Sequence, residues 1–280
     1  MREFNTVAIL GVGLIGGSIG LGLRRRGLAS RVIGIGYREQ SLRVAKDIGA
    51  VSETTLHLAE GVAQADLVIV CTPVGRIADD VRAAAASCRR GALITDVGST
   101  KAQIVADVVA ALPDDVRFIG GHPLAGSERR GAAAADADLF VGRVVVLTPD
   151  KKSRHEDLSA LKEFWEGLDA HVRCMSADDH DRALAATSHL PHLLAAALAL
   201  ATPDELLELT ATGWADGTRV ASGDPELWRQ IFASNRNGLL AALSQFDASL
   251  AALRAAIERG DGDALSKLLT TAKQRRDAVK

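Results

Sequence analysis

The sequence predicts an α/β domain built on a mainly parallel sheet, followed by an all-α domain. Three observations across the 280 residues support this fold class. Short runs rich in Val and Ile alternate with amphipathic segments in the first part of the chain, and a glycine-rich turn directly follows the first run. Beyond about residue 175 the apolar spacing becomes purely helical. We therefore divide the chain into residues 1–175 and residues 176–280.

Several short runs bounded by Gly, Asp or Pro have the length and composition of buried strands. They are Thr6–Leu10, Arg31–Ile35, Leu67–Cys71, Ala92–Asp96, Arg117–Gly120, Arg143–Leu147 and His171–Met175. Amphipathic segments of helical length lie between most of them, namely Leu14–Arg25, Glu39–Ile48, Ile77–Cys88 and Lys101–Leu112. Strands that alternate with helices in this way form a mainly parallel sheet covered on both faces.

From Ser176 onward, Ala and Leu dominate at helical spacing. Ser176 is suited to cap a helix whose first turn contains Asp178 and Asp179. Further helices are predicted over Pro203–Thr212, Pro225–Leu243, Asp247–Glu258 and Asp263–Ala278. Because these helices have many small apolar faces and few aromatic side chains, we expect helix-on-helix packing and a homodimer.

The charge balance argues against a nucleic-acid partner. The chain has 33 Lys and Arg residues against 35 Asp and Glu residues, whereas a nucleic-acid-binding protein is expected to carry a basic excess or stripe. The one dense basic run, Arg24-Arg25-Arg26, closes a predicted helix and suits its negative C-terminal end. We expect these three arginines to be solvated.

The cysteine pattern and the hydropathy predict a soluble protein of the cytoplasm. Cys71, Cys88 and Cys174 are odd in number and widely spaced, which favours reduced thiols over a disulfide framework or a zinc site. Met1 lies too close to the first predicted strand to leave room for a signal peptide. The longest apolar stretch, Leu193–Ala201, is too short to span a bilayer, so no membrane partner is expected.

The glycine-rich turn has the spacing of a dinucleotide-binding motif. Gly11, Gly13 and Gly16 follow the first predicted strand and open the first predicted helix, which is the context that this motif requires. Gly11 would allow the tight turn, Gly13 the close approach of a pyrophosphate, and Gly16 the close packing of helix on strand. The phosphates would then lie at free amides of the helix N-terminus.

The end of the second predicted strand bears on the choice between NAD and NADP. An acid there would bind the ribose 2′-hydroxyl of NAD, whereas a nearby Arg accommodates the 2′-phosphate of NADP. The chain has Gly36 at this point and Arg38 two residues later, while Glu39 belongs to the next helix. This pattern favours NADP, but Arg38 as an ordinary exposed cation leaves NAD open.

Two polar side chains follow neighbouring predicted strands. Ser99 comes after the strand that ends at Asp96, and His122 comes after the strand that ends at Gly120. Ligands of open parallel sheets collect at the carboxyl ends of the strands, so both side chains should lie near a nicotinamide ring. Histidine commonly accepts the proton of an alcohol that loses a hydride, and a neighbouring hydroxyl could orient it.

The helical half contains two further polar motifs. Pro191 should kink the helix that carries His189 and His192, and the spacing of these two histidines places them near one helix face. Metal binding is not expected, because no third ligand falls on that face. Arg229, next to Trp228, is either a fork-shaped carboxylate clamp or a surface residue, and its residue type leaves the two readings open.

A series of motifs resembles the prephenate/arogenate dehydrogenase family. In order along the chain they are GVGLIGGS, CTPV, DVGSTK, GGHPLAGSE, TSHLPH and GDPELWRQIF. The match covers nearly the whole chain, and the histidine-containing motifs are far more specific than the glycine turn. The resemblance implies a Rossmann domain followed by a helical dimerisation domain, with the active site between them. It also implies oxidative decarboxylation of prephenate or arogenate with NAD(P)+ in tyrosine biosynthesis.

The resemblance also implies roles for individual residues. His122 would accept a hydrogen bond from the substrate 4-hydroxyl, Ser99 would support it near the nicotinamide, and Arg229 would clamp a substrate carboxylate. The other implied substrate-binding residues are His192, Ser188, His189, Ser127 and Glu128. We expect the dinucleotide to contact Gly11, Gly13, Leu14, Ile15, Gly16, Arg38, Thr72 and Pro73. No metal is required by this chemistry.

The sequence fits two other functions less well. A 3-hydroxy acid dehydrogenase of similar organisation relies on a lysine in its helical half, but this half has lysine only at Lys267, Lys273 and Lys280, near the end. A dinucleotide sensor without turnover would need only the phosphate turn. The presence of Ser99 and His122 at adjoining strand ends therefore favours an enzyme.

Overall fold

The computed structural model describes residues 4–112, 116–126 and 129–279. Its strands are β1 (Thr6–Leu10), β2 (Arg31–Ile35), β3 (Glu53–Thr55), β4 (Leu67–Val70), β5 (Leu93–Asp96), β6 (Arg117–Pro123), β7 (Val144–Thr148) and β8 (His171–Cys174). Across these residues they form one sheet in the order β3-β2-β1-β4-β5-β6-β7-β8. Strands β1 to β6 are parallel, and β7 is antiparallel to β6. The strand order reverses at β1, as in a Rossmann-type sheet.

The helices confirm the predicted α/β part and all-α part. They are α1 (Leu14–Arg26), α2 (Glu39–Asp47), α3 (Leu58–Val62), α4 (Ile77–Ala85), α5 (Ala102–Val109), α6 (His155–Glu166), α7 (Ala177–Leu184), α8 (Leu190–Ala201), α9 (Thr212–Thr218), α10 (Pro225–Ser234), α11 (Arg236–Glu258) and α12 (Gly262–Asp277). Strand β3 was not predicted, because its short polar sequence carries no apolar signal and its conformation depends on pairing with β2.

The sheet separates two buried apolar clusters. Val7 and Ile9 of β1 belong to one cluster, whereas Ala8 and Leu10 belong to the other, because successive side chains of a strand point to opposite faces. The fully buried Trp165 of α6 packs into the first cluster. Burial on both faces explains why the central strands are continuous apolar runs rather than alternating ones.

Strand β6 is longer than the sequence predicted. It continues through His122 to Pro123 because this segment pairs with β7, with His122 opposite Val146. The sequence prediction ended the strand at Gly120, since the glycines and the proline carry no strand propensity. His122 is therefore held inside a strand rather than in the loop beyond it.

The helical part begins as predicted but is divided differently. The Ser176 hydroxyl accepts the Asp179 amide at 3.0 Å and caps α7. The helix predicted over Pro203–Thr212 is instead a short 3-10 turn followed by α9. The break predicted near residue 245 lies at Asn235. The backbone of Asn235 leaves the helix geometry, and its buried side chain donates to the Asp181 carbonyl.

The arginine run at the end of α1 is not simply solvated. Arg24 donates to the Gly49 carbonyl at 2.7 Å, and Arg26 forms ion pairs at 2.9 Å with both Asp138 and Asp169. The positive end-of-helix charge that the sequence indicated is thus used to fix neighbouring loops. The prediction of solvated residues was wrong for Arg26, whose side chain is 18% exposed.

Two helical segments are long and apolar enough to cross a membrane by length and composition alone. They are Ala177–Ala201, which includes the predicted apolar stretch, and Arg236–Glu258. Both segments contain acidic side chains, including Asp181 in the first and Asp247 in the second, and such groups are costly in lipid. Their apolar faces are equally suited to packing against other helices.

Candidate active site

The glycine turn has the geometry of a phosphate cradle. Gly11 has φ +95° and donates its amide to the Ile35 carbonyl at 2.8 Å. A Cβ on Gly16 would lie 2.3 Å from the Gly11 carbonyl oxygen, whereas a Cβ on Gly13 would meet nothing within 4 Å. Gly16 therefore packs the turn, and Gly13 faces open space that a Cβ would fill. These residues fit a dinucleotide pyrophosphate at the start of α1.

Polar residues meet across the carboxyl end of β1 beside this turn. Asp80 of α4 is buried and accepts the Tyr37 hydroxyl at 3.0 Å and the Thr72 hydroxyl at 2.6 Å. Arg76 donates to the Tyr37 hydroxyl at 2.7 Å, with its guanidinium carbon 4.3 Å from the ring centroid. Arg38 is exposed at the start of α2. Basic groups therefore lie where the adenosine end of a dinucleotide would bind.

The remaining predicted cofactor residues lie along the same edge. Leu14 and Ile15 are partly exposed in the first turn of α1, and Pro73 begins the short turn before α4. At the end of β2, the described residues include no acid that could bind a ribose hydroxyl.

His122 is connected to the helical part of the molecule. Its Nδ1 atom lies 2.8 Å from His180 Nε2, and His180 Nδ1 lies 2.8 Å from Asp181 Oδ1. His122 is 9% exposed and His180 is fully buried. A chain of three side chains therefore runs from the sheet into α7.

Asp181 also binds the start of α5. Its Oδ1 accepts the Lys101 amide at 2.7 Å and its Oδ2 accepts the Ala102 amide at 2.9 Å. Lys101 turns its buried ammonium group to Asp96 and to the Gly121 carbonyl, the latter at 2.9 Å. One carboxylate from the helical part thus caps a helix of the sheet domain.

The pKa values of these groups follow from burial and from their partners. Burial lowers the pKa of His122 well below its ordinary value, because desolvation penalises the imidazolium and positive charge at the neighbouring His180 or Lys101 side chains would add to that penalty. Burial raises the pKa of Asp181, but hydrogen bonds from His180 and from two backbone amides outweigh it and lower the pKa overall. His122 is accordingly a neutral imidazole and Asp181 an anion at neutral pH.

Ser99 lies in the loop between β5 and α5 and is partly buried. Among the described residues, no hydrogen bond joins Ser99 to His122, whose Nδ1 is engaged by His180. The next residue, Thr100, lies 2.9 Å from Ser234 of α10 through their hydroxyl oxygens. The loop that carries Ser99 is therefore fixed to the helical part.

The segment between α7 and α8 is a π-helical turn, Ala185–His189. Such turns displace side chains from the regular helix face and are frequent at functional sites. Ser188 is partly exposed in this turn, and His189 is buried, with its Nδ1 3.2 Å from the Asn235 amide nitrogen. Burial lowers the pKa of His189 to about 4, so its ring is neutral.

His192 and Trp228 form a stacked pair. Their ring centroids lie 3.5 Å apart with an interplanar angle of 12°, and Gly223 leaves room for both, since a Cβ there would lie 2.6 Å from the Trp228 ring nitrogen. Burial lowers the pKa of His192. This pair forms a flat apolar wall with a polar edge.

Arg229 does not stack on Trp228 but pairs with its own helix. Its guanidinium donates to Glu226 at 2.8 and 2.7 Å, and its side chain is 68% exposed. The bonds from Arg229 lower the pKa of Glu226 to about 2. Ser127 and Glu128, which were also predicted to bind substrate, lie outside the described residues.

Helix α10 contacts loops of the sheet domain. The Gly75 amide donates to Gln230 at 3.2 Å, and Arg130 forms an ion pair with Asp224, the residue that caps α10. The helix that carries Trp228 and Arg229 is therefore held against the loops that follow β4 and β6.

Sequence reasoning missed His180, Asp181 and Asn235. His180 and Asp181 stand in an Asp-Asp-His-Asp run, and the acidic residues there signalled a helix N-terminus rather than a site. Asn235 fell inside a predicted helix. The signal available was polarity on a helix face that should be buried, which in itself does not identify a partner.

The sheet is of the Rossmann type, with a phosphate-binding turn at its switch point and a neutral histidine at a nearby strand end. These features define an NAD(P)-dependent dehydrogenase. Two family models match the chain: the prephenate dehydrogenase nucleotide-binding domain over residues 19–174 and the prephenate dehydrogenase dimerization domain over residues 176–271. The chain belongs to the prephenate dehydrogenase family, which confirms the resemblance inferred from the motifs.

Individual relatives agree with this assignment. The chain is 34% identical to prephenate dehydrogenase of Bacillus subtilis, over 98% of this chain and 76% of that protein. It is 32% identical to cyclohexadienyl dehydrogenase of Zymomonas mobilis, over 100% of this chain and 98% of that protein. Both alignments extend across the sheet domain and the helical part.

Solved structures show the same similarity. Prephenate dehydrogenase from Aquifex aeolicus in complex with hydroxyphenyl propionate and NAD+ has a TM-score of 0.93 and 32% identity, covering 100% of this chain and 99% of that chain. Synechocystis arogenate dehydrogenase has a TM-score of 0.86 and 30% identity, covering 98% of this chain and 100% of that chain. A Mycobacterium tuberculosis 3-hydroxyisobutyrate dehydrogenase, at 18% identity and a TM-score of 0.55, shares the fold alone.

Proposed function

We propose that this enzyme oxidises prephenate to 4-hydroxyphenylpyruvate and CO2, as a step of tyrosine biosynthesis. The observation that carries the proposal is His122, a neutral imidazole held by its Nδ1 atom at the carboxyl end of the sheet. Its Nε2 atom is left for a substrate hydroxyl, and the dinucleotide turn lies at the same edge.

The residues support a simple sequence of events. The 4-hydroxyl of prephenate gives its proton to His122 Nε2 while the carbinol hydrogen leaves as hydride. Nicotinamide supplies the hydride acceptor when the dinucleotide is bound. Loss of the ring carboxylate as CO2 returns its electron pair to the ring, which becomes aromatic, and the new phenolate oxygen takes the proton back from His122. Charge and protons balance without a metal.

The other predicted residues have proposed roles in holding the substrate. Ser99 would contact the substrate hydroxyl or the nicotinamide from the loop after β5. Ser188 and His192 would line the wall for the side-chain end, His189 would support this wall from its buried position, and Ser127 and Glu128 would be further substrate contacts. Arg229 would bind a carboxylate, and its exposed guanidinium would have to exchange Glu226 for the substrate.

For the dinucleotide, we propose NADP in preference to NAD. The end of β2 carries Gly36 in place of an acid, and Arg38 is exposed two residues beyond. Arg76 adds a second cation on the Tyr37 ring. A 2′-phosphate would find basic partners here, whereas a 2′-hydroxyl would lack the usual carboxylate acceptor.

Arogenate is the second candidate substrate, because the chain is also similar to an arogenate dehydrogenase and a cyclohexadienyl dehydrogenase. One assay separates the possibilities: purified enzyme is mixed with prephenate or arogenate and with NAD+ or NADP+, and the absorbance of reduced nicotinamide is followed. We expect the highest kcat/KM for prephenate with NADP+. Absence of turnover with all four pairs would contradict the proposal and favour a non-catalytic dinucleotide sensor.

We further propose that the chain divides at about residue 175 into a dinucleotide-binding domain and a helical domain that forms a homodimer. The family model that matches the helical half is described as a dimerization domain. Acidic residues within both long apolar helical segments support a soluble enzyme of the cytoplasm rather than a membrane protein.

A further inference from the structure

We propose that His180 and Asp181 are positioning residues for His122, which hold its imidazole as the tautomer protonated on Nδ1 and so keep Nε2 a proton acceptor. This inference rests on the proposed role of His122 as the base. It assigns a function to two residues in the first turns of α7, outside the motifs that indicated the family.

The carboxylate oxygens of Asp181 are surrounded by donors. The Lys101 and Ala102 amides lie 2.7 and 2.9 Å from these oxygens. A backbone N–H can only donate, so both oxygens accept. The carboxylate also lies at the N-terminus of α5, where the helix dipole favours an anion. Asp181 is therefore ionised and offers Oδ1 as an acceptor to His180.

The partner of His180 determines which of its ring nitrogens carries the hydrogen. Its Nδ1 lies 2.8 Å from Asp181 Oδ1, so Nδ1 carries the hydrogen and donates it. We assign a single ring hydrogen to His180, which leaves the other nitrogen as a bare acceptor. His180 Nε2 lies 2.8 Å from His122 Nδ1. His122 Nδ1 must consequently be the donor of that bond.

The last step gives the state of His122. With its hydrogen on Nδ1, the ring has a free lone pair at Nε2, which is the form that takes a proton from a hydroxyl. When Nε2 is protonated, the bond to His180 brings the positive charge within reach of the Asp181 anion. The arrangement thus fixes the tautomer beforehand and stabilises the imidazolium that forms.

The other titratable groups around His122 do not supply this function. Lys101, from the loop before α5, is paired with Asp96 of β5. His189, from the π-helical turn, accepts from Asn235, and burial holds its pKa at about 4. Within the described part of the chain, the ionised carboxylate linked to His122 through hydrogen bonds of side chains is Asp181.

The arrangement also spans the two parts of the molecule. His122 and the amides that hold Asp181 belong to the sheet domain, whereas His180 and Asp181 belong to α7. The tautomer of His122 is therefore determined only when α7 packs against α5. Contacts between the two domains and the protonation state of the base are linked through one carboxylate.

A matched pair of variants at position 180 tests the proposal in the full-length enzyme. His180→Gln retains both functions, because its amide oxygen can accept from His122 Nδ1 and its amide group can donate to Asp181. His180→Leu has similar size but neither function. With prephenate and the preferred dinucleotide, we expect kcat to fall about tenfold for Gln and about a hundredfold for Leu. The KM values should stay within about threefold of the wild type.

The pH profile gives a second reading. Asp181→Asn removes the anion that favours the imidazolium, so the pKa of His122 should fall and the acidic limb of kcat/KM should move to lower pH. A structural role alone would lower activity at all pH values without moving this limb. Melting temperature and dinucleotide affinity serve as the folding control for each variant.

Equal kcat values for folded Gln and Leu variants would overturn the proposal, as would an unmoved acidic limb in Asp181→Asn. If the Leu variant does not fold, the Gln variant and the pH profile still decide. The tautomer can also be read without turnover, from the 15N signals of the His122 imidazole in the wild-type enzyme. A hydrogen on Nε2 would refute the proposal, whereas absence of prephenate oxidation with a protonated Nδ1 would refute only the proposed function.

Discussion

His122 lies in a strand and is surrounded by fixed polar groups, so its chemistry depends on neighbours from distant parts of the chain. The same holds for Asn235, which is buried and donates to the Asp181 carbonyl at 2.6 Å while facing His189 Nδ1. Buried polar groups are costly unless each finds a partner. At the scale of the residue, the site is a set of side chains that satisfy one another before any ligand binds.

Replacing His122 by Asn tests the proposed base. Asn can hydrogen-bond the substrate hydroxyl but cannot accept its proton, so kcat should fall about a hundredfold or more. Dinucleotide affinity, measured by titration of the enzyme, should be unchanged because the phosphate turn is untouched. An unchanged kcat would show that another group accepts the proton.

Replacing Arg229 tests the proposed carboxylate clamp. Loss of a charge-assisted fork should raise KM for prephenate by roughly thirty- to a thousandfold. Arg229→Lys should restore part of this loss, because a point charge does not reproduce the planar fork. Steady-state kinetics with varied prephenate measures both.

Glu226 offers a control for the same prediction. Glu226→Gln removes the present partner of Arg229 and frees the guanidinium, so KM for prephenate should not rise. If Arg229→Ala leaves both KM and the melting temperature almost unchanged, Arg229 is a surface residue and the clamp is refuted.

Two short elements determine the shape of the site. The glycine turn between β1 and α1 brings free amides to the sheet edge, and the π-helical turn between α7 and α8 directs Ser188 and His189 away from the regular helix pattern. Both are departures from regular structure that the surrounding packing stabilises.

Gly13→Ala tests the phosphate turn. Because a Cβ at this position meets nothing within 4 Å, the protein should fold normally. The added methyl group would occupy the space for the pyrophosphate, so KM for the dinucleotide should rise about tenfold or more. Gly27→Ala at the end of α1 is a control of similar chemistry, and it should affect stability without changing that KM. Equal dinucleotide KM in wild type and Gly13→Ala would exclude this turn as the cradle.

The buried histidine of the π-helical turn predicts a loss of stability in acid. Burial, opposed by the charge of Asp181 and assisted by a smaller contribution from His180, lowers the pKa of His189 to about 4. Between this value and the ordinary one of about 6.5, the unfolded chain binds a proton that the native protein does not. The contribution of His189 to the free energy of unfolding should therefore be complete above about pH 6.5 and should decrease as the pH falls toward 4.

His189→Gln provides the measurement for this prediction. Its amide oxygen can accept from Asn235 without titrating, so chemical unfolding of the variant should lose about 2 kcal/mol less than the wild type between pH 7 and pH 5. Subtracting the free energy of unfolding of one protein from that of the other at each pH cancels the contribution of the carboxylates, which both proteins share. Parallel curves for both proteins would show that His189 does not contribute.

The molecule as a whole has a sheet domain with well-buried clusters and a helical part with large exposed apolar side chains. Leu200 is 89% exposed, Leu209 73% and Ile257 65%. Monomeric proteins rarely leave such residues in contiguous patches, whereas subunit interfaces use them. The imbalance between the two parts supports association through the helical part.

Light scattering tests this association directly. At micromolar concentration we expect twice the mass of one chain, and Ile257→Asp should shift the equilibrium toward monomer because it introduces a charge into an apolar interface. Leu56→Asp, at an exposed position of the sheet domain, serves as the control and should leave the mass unchanged. A monomer mass for the wild type would reject the homodimer.

The sequence by itself determined those features that depend on nearby residues. The period of apolar residues specified the parallel sheet and the helical half, and glycine spacing specified the turn at β1, because these patterns are set by backbone geometry over a few positions. The residue types of His122 and Ser99 at neighbouring strand ends indicated the chemistry, whereas the clamp role of Arg229 came from the family resemblance. Helix ends and the short strand β3 were less well predicted, since they depend on neighbours that stabilise them.

Tertiary structure alone decided which of these polar residues meet. His122 and His180 are separated by 58 residues in the chain yet lie 2.8 Å apart, and Asn235 interrupts a predicted helix in order to reach Asp181. Nothing in the local pattern distinguishes the Asp181 carboxylate from the acidic residues that precede it. Its role arises because folding brings the start of α5 and the His180 ring to its oxygens, and buried donors and acceptors must find partners wherever the packing puts them.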